Sequence, residues 1–99
     1  MSTSDVEATI KRISSHPGVR GLIVQTNEGT VVRTTFDPES TKLYSSDVAQ
    51  FAAVAKSAVR DLDPINDLSY VRVRSTSQEI ICIPEKQYTI IVVCDAPEH

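Results

Sequence analysis

Residues 40–74, STKLYSSDVAQFAAVAKSAVRDLDPINDLSYVRVR, decide the fold. Tyr44, Val48, Phe51, Ala52, Ala55, Ala58, Val59 and Leu62 recur at three- and four-residue steps, which predicts an amphipathic helix over 44–62. Ala49, Ala53 and Val54 widen the apolar stripe beyond what packing on one sheet requires. Small alanine shoulders also let a second backbone come close. The pattern predicts a helix that touches its own sheet and a second subunit. Asp63-Pro64 ends it, because the residue before a proline is pushed out of the α region. Asn66-Asp67 turn the chain. Leu68–Arg74 then alternates as a strand, with Val71 and Val73 on one face and Tyr70, Arg72 and Arg74 on the other. Charges along one face suit an edge strand, where they discourage unplanned pairing or steer a planned one.

Upstream, Ser4-Asp-Val-Glu7 has the form of a capping box opening a short helix with Val6, Ile10 and Ile13 on its apolar face. Asp5 and Glu7 sit at its positive end, and Lys11, Arg12 and His16 at its negative end. Pro17-Gly18 closes it. Val19–Thr26 reads as a strand covered on both faces, because its middle is almost continuously apolar. Asn27-Glu28-Gly29 is a hairpin loop. Thr30–Phe36 returns as a β-branched strand. Asp37–Ser40 leads into the long helix, with Ser40 or Thr41 as the expected cap.

Downstream, Ser75-Thr76-Ser77 turns into a strand at Glu79–Ile83, and Pro84–Gln87 turns back into Tyr88–Cys94. The last strand is the most apolar and belongs at the sheet's centre; Asp95–His99 carries no pattern and is expected to be loose. The predicted fold class is a mixed α/β (α+β) domain of order α-β-β-α-β-β-β over residues 1–99, with a five-stranded, mostly antiparallel sheet and two helices.

Composition narrows the function. The 99 residues carry 40% hydrophobic and 23% charged side chains, which is ordinary globular composition. A formal charge of −3 argues against nucleic acid, since Arg72 and Arg74 alone make too small a basic patch. No run approaches the roughly 20 apolar residues of a membrane span. With two cysteines and no basic-then-apolar leader at Met1–Glu7, the expected location is cytosolic, with reduced thiols.

Chemistry is sparse. The three glycines at 18, 21 and 29 form neither a phosphate loop nor a dinucleotide fingerprint. No catalytic triad can be assembled around His16 or His99, and no cofactor, metal or small-molecule substrate is expected. The hairpin register predicted for Cys82 sets it opposite Ile90, leaving Cys94 about four residues along. At about 3.4 Å per residue that gap exceeds the roughly 4.4–6.8 Å Cα spacing of a disulfide. Two free thiols are expected. The acidic run Asp61-x-Asp63-x-x-Asn66-Asp67 fails as a calcium loop, because Asn66 stands where glycine is needed and Arg72 where glutamate is needed. Local turn formation accounts for it better.

The segments Gly18-Val-Arg-Gly-Leu-Ile-Val24, Asn27-Glu-Gly29, Ala58-Val-Arg-Asp-Leu-Asp-Pro-Ile-Asn-Asp-Leu68, Val71-Arg-Val-Arg74 and Glu79-Ile80 closely resemble the roadblock-type dynein light chains. The likeness spans essentially the whole chain, and Arg60–Leu68 is its most specific part. It implies a non-catalytic homodimer whose two sheets join into one of ten strands. It also implies binding to the dynein intermediate chain, within a cytoplasmic, microtubule-associated or ciliary motor. The helical periodicity then places Phe51, Val54, Ala55, Ala58 and Leu62, with Tyr70, Arg72 and Arg74, at the dimer seam. Val6, Ile10 and Ile13 are the candidates for the intermediate chain. The alternative is a regulator or scaffold of a small GTPase, as related roadblock proteins are; a free-standing enzyme would need a catalytic constellation.

Overall fold

The computed structural model describes residues 3–96; residues 1, 2 and 97–99 lie outside it, as do the side chains of Thr3, Ser4 and Val6. The expected Ser4 cap and the Val6 part of the first apolar stripe therefore fall outside the described residues.

The elements run α1 (Thr3–Ser14), β1 (Val19–Thr26), β2 (Val31–Thr34), α2 (Pro38–Leu62), β3 (Val71–Arg74), β4 (Gln78–Pro84) and β5 (Tyr88–Asp95). They form one five-stranded sheet of order β2-β1-β5-β4-β3, antiparallel at every pairing. The expected order and class hold. The two most apolar strands, β1 and β5, lie side by side inside the sheet, and β3 is an edge.

Strand alternation splits the core into two layers. On one face Ile23, Val48, Cys82, Ile91 and Val93 are buried together, with Phe36, Tyr44, Phe51 and Ala52 packed on them. This is the α2 face. On the other, Leu22, Val24, Ile90 and Val92 are buried beneath Ile10 and Ile13 of α1. Each buried aliphatic contributes about 1.5–3 kcal/mol relative to exposure, so the apolar centres of β1 and β5 carry the largest share of the stability.

Gly21, in β1, makes room for the layer on the α2 face. A Cβ there would lie 2.5 Å from the tip of the Phe36 ring. That ring in turn packs on Tyr44, with centroids 5.0 Å apart. The β1–β2 turn needs Gly29, whose φ is +97°.

The boundaries correct several expectations. Helix α2 begins at Pro38, six residues before Tyr44, with Asp37 as N-cap and no side-chain cap bond. Proline is favoured in the first turn because its missing N–H would be unpaired there anyway. Ser40 and Thr41 therefore lie inside the helix, and the Thr41 hydroxyl instead meets that of Thr34 at 2.8 Å. Pairing of β3 starts at Val71, not Leu68, and β2 spans only Val31–Thr34 of the expected 30–36. Strand β5 runs through Asp95, whose N–H donates to the Gly18 carbonyl; the Ala96 N–H donates to Ser77. Asp95 and Ala96 are thus tied to the sheet rather than loose.

The β4–β5 register is also one residue off: Cys82 pairs with Ile91, and Cys94 with Glu79. Both thiols are free. They cannot bridge, because Cys82 belongs to the α2 face and Cys94 to the α1 face.

Candidate functional site

The end of α2 behaves as its sequence dictates. The Asp63 N–H still donates to Val59, and Pro64 then prevents continuation. The acidic run is occupied with turn formation: the Ile65 N–H donates to the Asp63 carboxylate at 3.3 Å, and the Asp67 N–H to Asn66 Oδ1 at 3.0 Å. Arg60 Nε donates to the Asp67 carboxylate at 2.9 Å, tying the turn back to the helix. No group of three or more His, Cys, Asp or Glu side chains among the described residues could hold a metal ion.

Neither cysteine is poised as a nucleophile. Burial pushes the Cys82 thiol up. Cys94 is also raised, first by burial and then by the Glu79 and Asp95 carboxylates, with Arg72 opposing. A reactive thiol needs the opposite shift, toward thiolate at neutral pH.

Apolar surface is the conspicuous feature. Helix α2 is 25 residues long, about 37 Å at 1.5 Å per residue, and only one stripe of it meets the sheet. At about 100° per residue, Leu43, Val54, Ala58 and Leu62 share one flank. Their large members are open, with Val54 70% and Leu62 88% exposed. Ile65, just beyond, is 94% exposed. Val73 of β3 is exposed on the same side of the sheet, and among the described residues the β3 edge carries no strand beyond it. An exposed apolar helical flank and a strand edge left unpaired among the described residues are each features of protein interfaces.

The structure places the residues expected at the dimer seam in different settings. Val54, Ala58 and Leu62 are exposed on the flank of α2; Ala55 is half-buried. Phe51 is packed into the core. Arg72 and Arg74 project from the other face of the sheet, since they pair with Ile81 and Glu79, on the side of α1. Arg72 reaches the Glu79 carboxylate at 3.5 Å. Tyr70 stands just before β3, 57% exposed. Val73 and Leu43 add to the α2-side surface, and Ile65 is exposed in the turn after the helix; alternation in VRVR marks Val73, whereas the stripe predicted over 44–62 includes neither Leu43 nor Ile65.

Of the residues expected at the intermediate chain, Ile10 and Ile13 are half-buried against β1 and β5, so their inner sides already serve the core. Glu7 pairs with Arg33 of β2, fixing α1 across the sheet's outer edge.

A second recess lies on the opposite flank of α2. It is a cleft of about 310 Å³ between Ala49, Ala53 and Lys56 of the helix and the β1–β2 and β4–β5 turns. Gln25 of β1 lines it at 2% exposure, and its Oε1 has no hydrogen-bond partner among the described residues. An unpaired buried polar atom costs about 1–3 kcal/mol.

This architecture has counterparts among known proteins. The family model of the Roadblock/LC7 domain matches residues 5–95. Among solved structures, the Roadblock/LC7 domain from Streptomyces avermitilis superposes with a TM-score of 0.77 at 14% identity, covering 89% of this chain and 73% of that one. Myxococcus xanthus MglB gives 0.73 at 14% identity, over 96% and 79% of the two chains. The gliding protein MglB from Thermus thermophilus gives 0.69 at 15%, over 95% and 72%.

Proposed function

The chain belongs to the Roadblock/LC7 domain family, and on that premise we propose that it is a non-catalytic scaffold that pairs with a second copy of itself and holds a protein partner. The observation that carries this reading is the apolar surface left open on the α2 side, with Val54 and Leu62 exposed on the helix, together with a β3 edge that has no neighbouring strand among the described residues. Two copies related by a two-fold axis would place β3 against β3 and join two five-stranded sheets into ten strands. They would also cover Val54, Ala58 and Leu62. A symmetric dimer then offers each partner site twice, which raises effective concentration with no new chemistry.

For the partner, a small GTPase is the reading supported by fold-level likeness to MglB, and to MglC of Myxococcus xanthus at a TM-score of 0.52. In that reading the chain is a GTPase regulator or scaffold, as the family resemblance allows. The dynein intermediate chain is the second reading, supported by Arg60–Leu68, the most specific part of the resemblance to the dynein light chains. It would place the protein in the cytoplasm on a microtubule motor. An affinity pull-down of the tagged full chain, with partners identified by mass spectrometry, separates the two. A GTPase recovered without dynein subunits, and with altered hydrolysis on adding the chain, establishes the first. An intermediate chain in strong excess establishes the second. Recovery of neither, from a chain that sediments as a monomer, overturns the scaffold reading itself.

A further inference from the structure

The cleft on the other flank of α2 is separate from the apolar flank. At about 100° per residue, Ala49, Ala53 and Lys56 face away from Val54, Ala58 and Leu62. Most polar groups around the cleft are already used. Asn27 donates to the Lys86 carbonyl at 2.8 Å and accepts from Thr89 Oγ1 at 3.1 Å, lacing the two turns together. Thr26 Oγ1 accepts from the Thr30 N–H. What stays unmet is the buried Oε1 of Gln25, an acceptor on a residue that lines the recess. Beside it the β1–β2 register slips between Val24 and Gln25, an irregularity of the kind that accompanies functional positions in sheets.

We infer that this cleft takes an extended peptide segment of a partner protein, one that donates an N–H to Gln25 Oε1. Three features select that occupant. The unmet group is an acceptor, so the occupant must donate. The rim carries Glu28 and Glu85 against Lys56 alone, a net acidic mouth that favours donor-rich and basic segments over acidic ones. The helical wall is made of the small side chains of Ala49, Ala52 and Ala53, which lets a backbone lie close along it and suits a chain spreading its contacts over several residues better than a compact small molecule.

Linear peptides selected from a random displayed library on the full chain supply the probe. Their binding is then measured by calorimetry on the native chain, on Gln25→Leu and on Ala53→Trp. Ala53 is exposed, so the tryptophan fills the cleft without entering the core. The expected result is about ten-fold weaker binding to Gln25→Leu, the effect of losing one buried hydrogen bond, and loss of binding to Ala53→Trp. Gln25→Leu should also melt higher than the native chain, because the unpaired amide is gone. Peptides that bind all three chains within about two-fold, well short of one lost hydrogen bond, or a selection that yields none, would overturn the proposal. So would a Gln25→Leu chain that melts lower, since the amide would then already be satisfied. Sedimentation keeps this site distinct from the dimer: if either variant turned a native dimer into a monomer, a second copy fills the cleft and the peptide assignment falls.

Discussion

Strands β5 and β3 are both rich in valine, yet the sheet treats them in opposite ways. In β5, Ile90 to Val93 are all buried, two on each face. In β3 every second residue is arginine, and the strand closes one side of the sheet with its outer edge unpaired among the described residues. The difference teaches where stability and recognition reside. The centre is apolar on both faces and holds the protomer together. The rim pairs an apolar α2 flank with charges on the reverse face, which keeps the edge soluble while leaving it open to a specific partner.

Substitutions in the centre should have the largest effect. Ile91 is fully buried, and Ile91→Ala removes its methyl groups from the α2 face of the core. The expected loss is about 2–5 kcal/mol, read as a drop in the urea midpoint with no change in slope. A loss below about 1 kcal/mol, the scale of a mild core trim, would mean that the centre is not the stabilising region. Gly21→Ala comes next. Its Cβ would meet the Phe36 ring at 2.5 Å, and overpacking of this kind costs about 1–3 kcal/mol. Adding Phe36→Leu to the same chain should recover part of the loss, since it shortens the obstructing group. No recovery would place the strain in the backbone instead.

A smaller effect is expected from pH. The Cys82 thiol is pushed above its ordinary value of 9.0 by burial, so the folded chain holds that proton more tightly than the unfolded one. Its contribution is fully present below about pH 9 and is lost as the pH rises further through the folded value. Stability should therefore fall above about pH 9, and Cys82→Ala should flatten that fall. Alkylation of the native chain should modify Cys94 before Cys82, because Cys94 is partly exposed and Cys82 is buried. If Cys82 reacted first, the centre would be opening locally.

The centre was also the part most legible in sequence. Strand β1 was expected over Val19–Thr26 and occupies those residues, because a continuous apolar run bounded by Gly18 and Asn27 admits few alternatives. The C-terminal end of α2 at Leu62 follows from Asp63-Pro64. Its start was missed, because Pro38 opens a helix without any side-chain cap to announce it. The β4–β5 register slipped by one, since turn composition does not fix how many residues the turn consumes. The rim was harder to read. Periodicity identified the exposed Val54, Ala58 and Leu62, but it could not say that Phe51 spends its side chain on the core, nor that Arg72 and Arg74 lie across the sheet from α2. Gln25 was legible only as a polar residue in an apolar strand; its burial depends on Ala49, Ala53 and the two turns, which meet it only in three dimensions.

At the rim the change in protomer stability should be smallest and the change in association decisive. Phe51→Asp tests folding rather than pairing, because it strikes the α2 core layer. Ala58→Glu and Leu62→Lys are cleaner, since both residues are exposed, glutamate is a good helix former, and a cation suits the helix C-terminus. Each should leave the isolated protomer within about 0.5 kcal/mol. If the α2 flank is the seam, the native chain will sediment as a dimer and its melting midpoint will rise with concentration, because association stabilises the folded state by mass action. Both variants should sediment as monomers with a midpoint independent of concentration. Dimers that persist in both would move the interface off this flank. The β2 edge, where Val31 and Val32 are exposed, would then be the next surface to test, and the apolar flank of α2 would be left for a different protein.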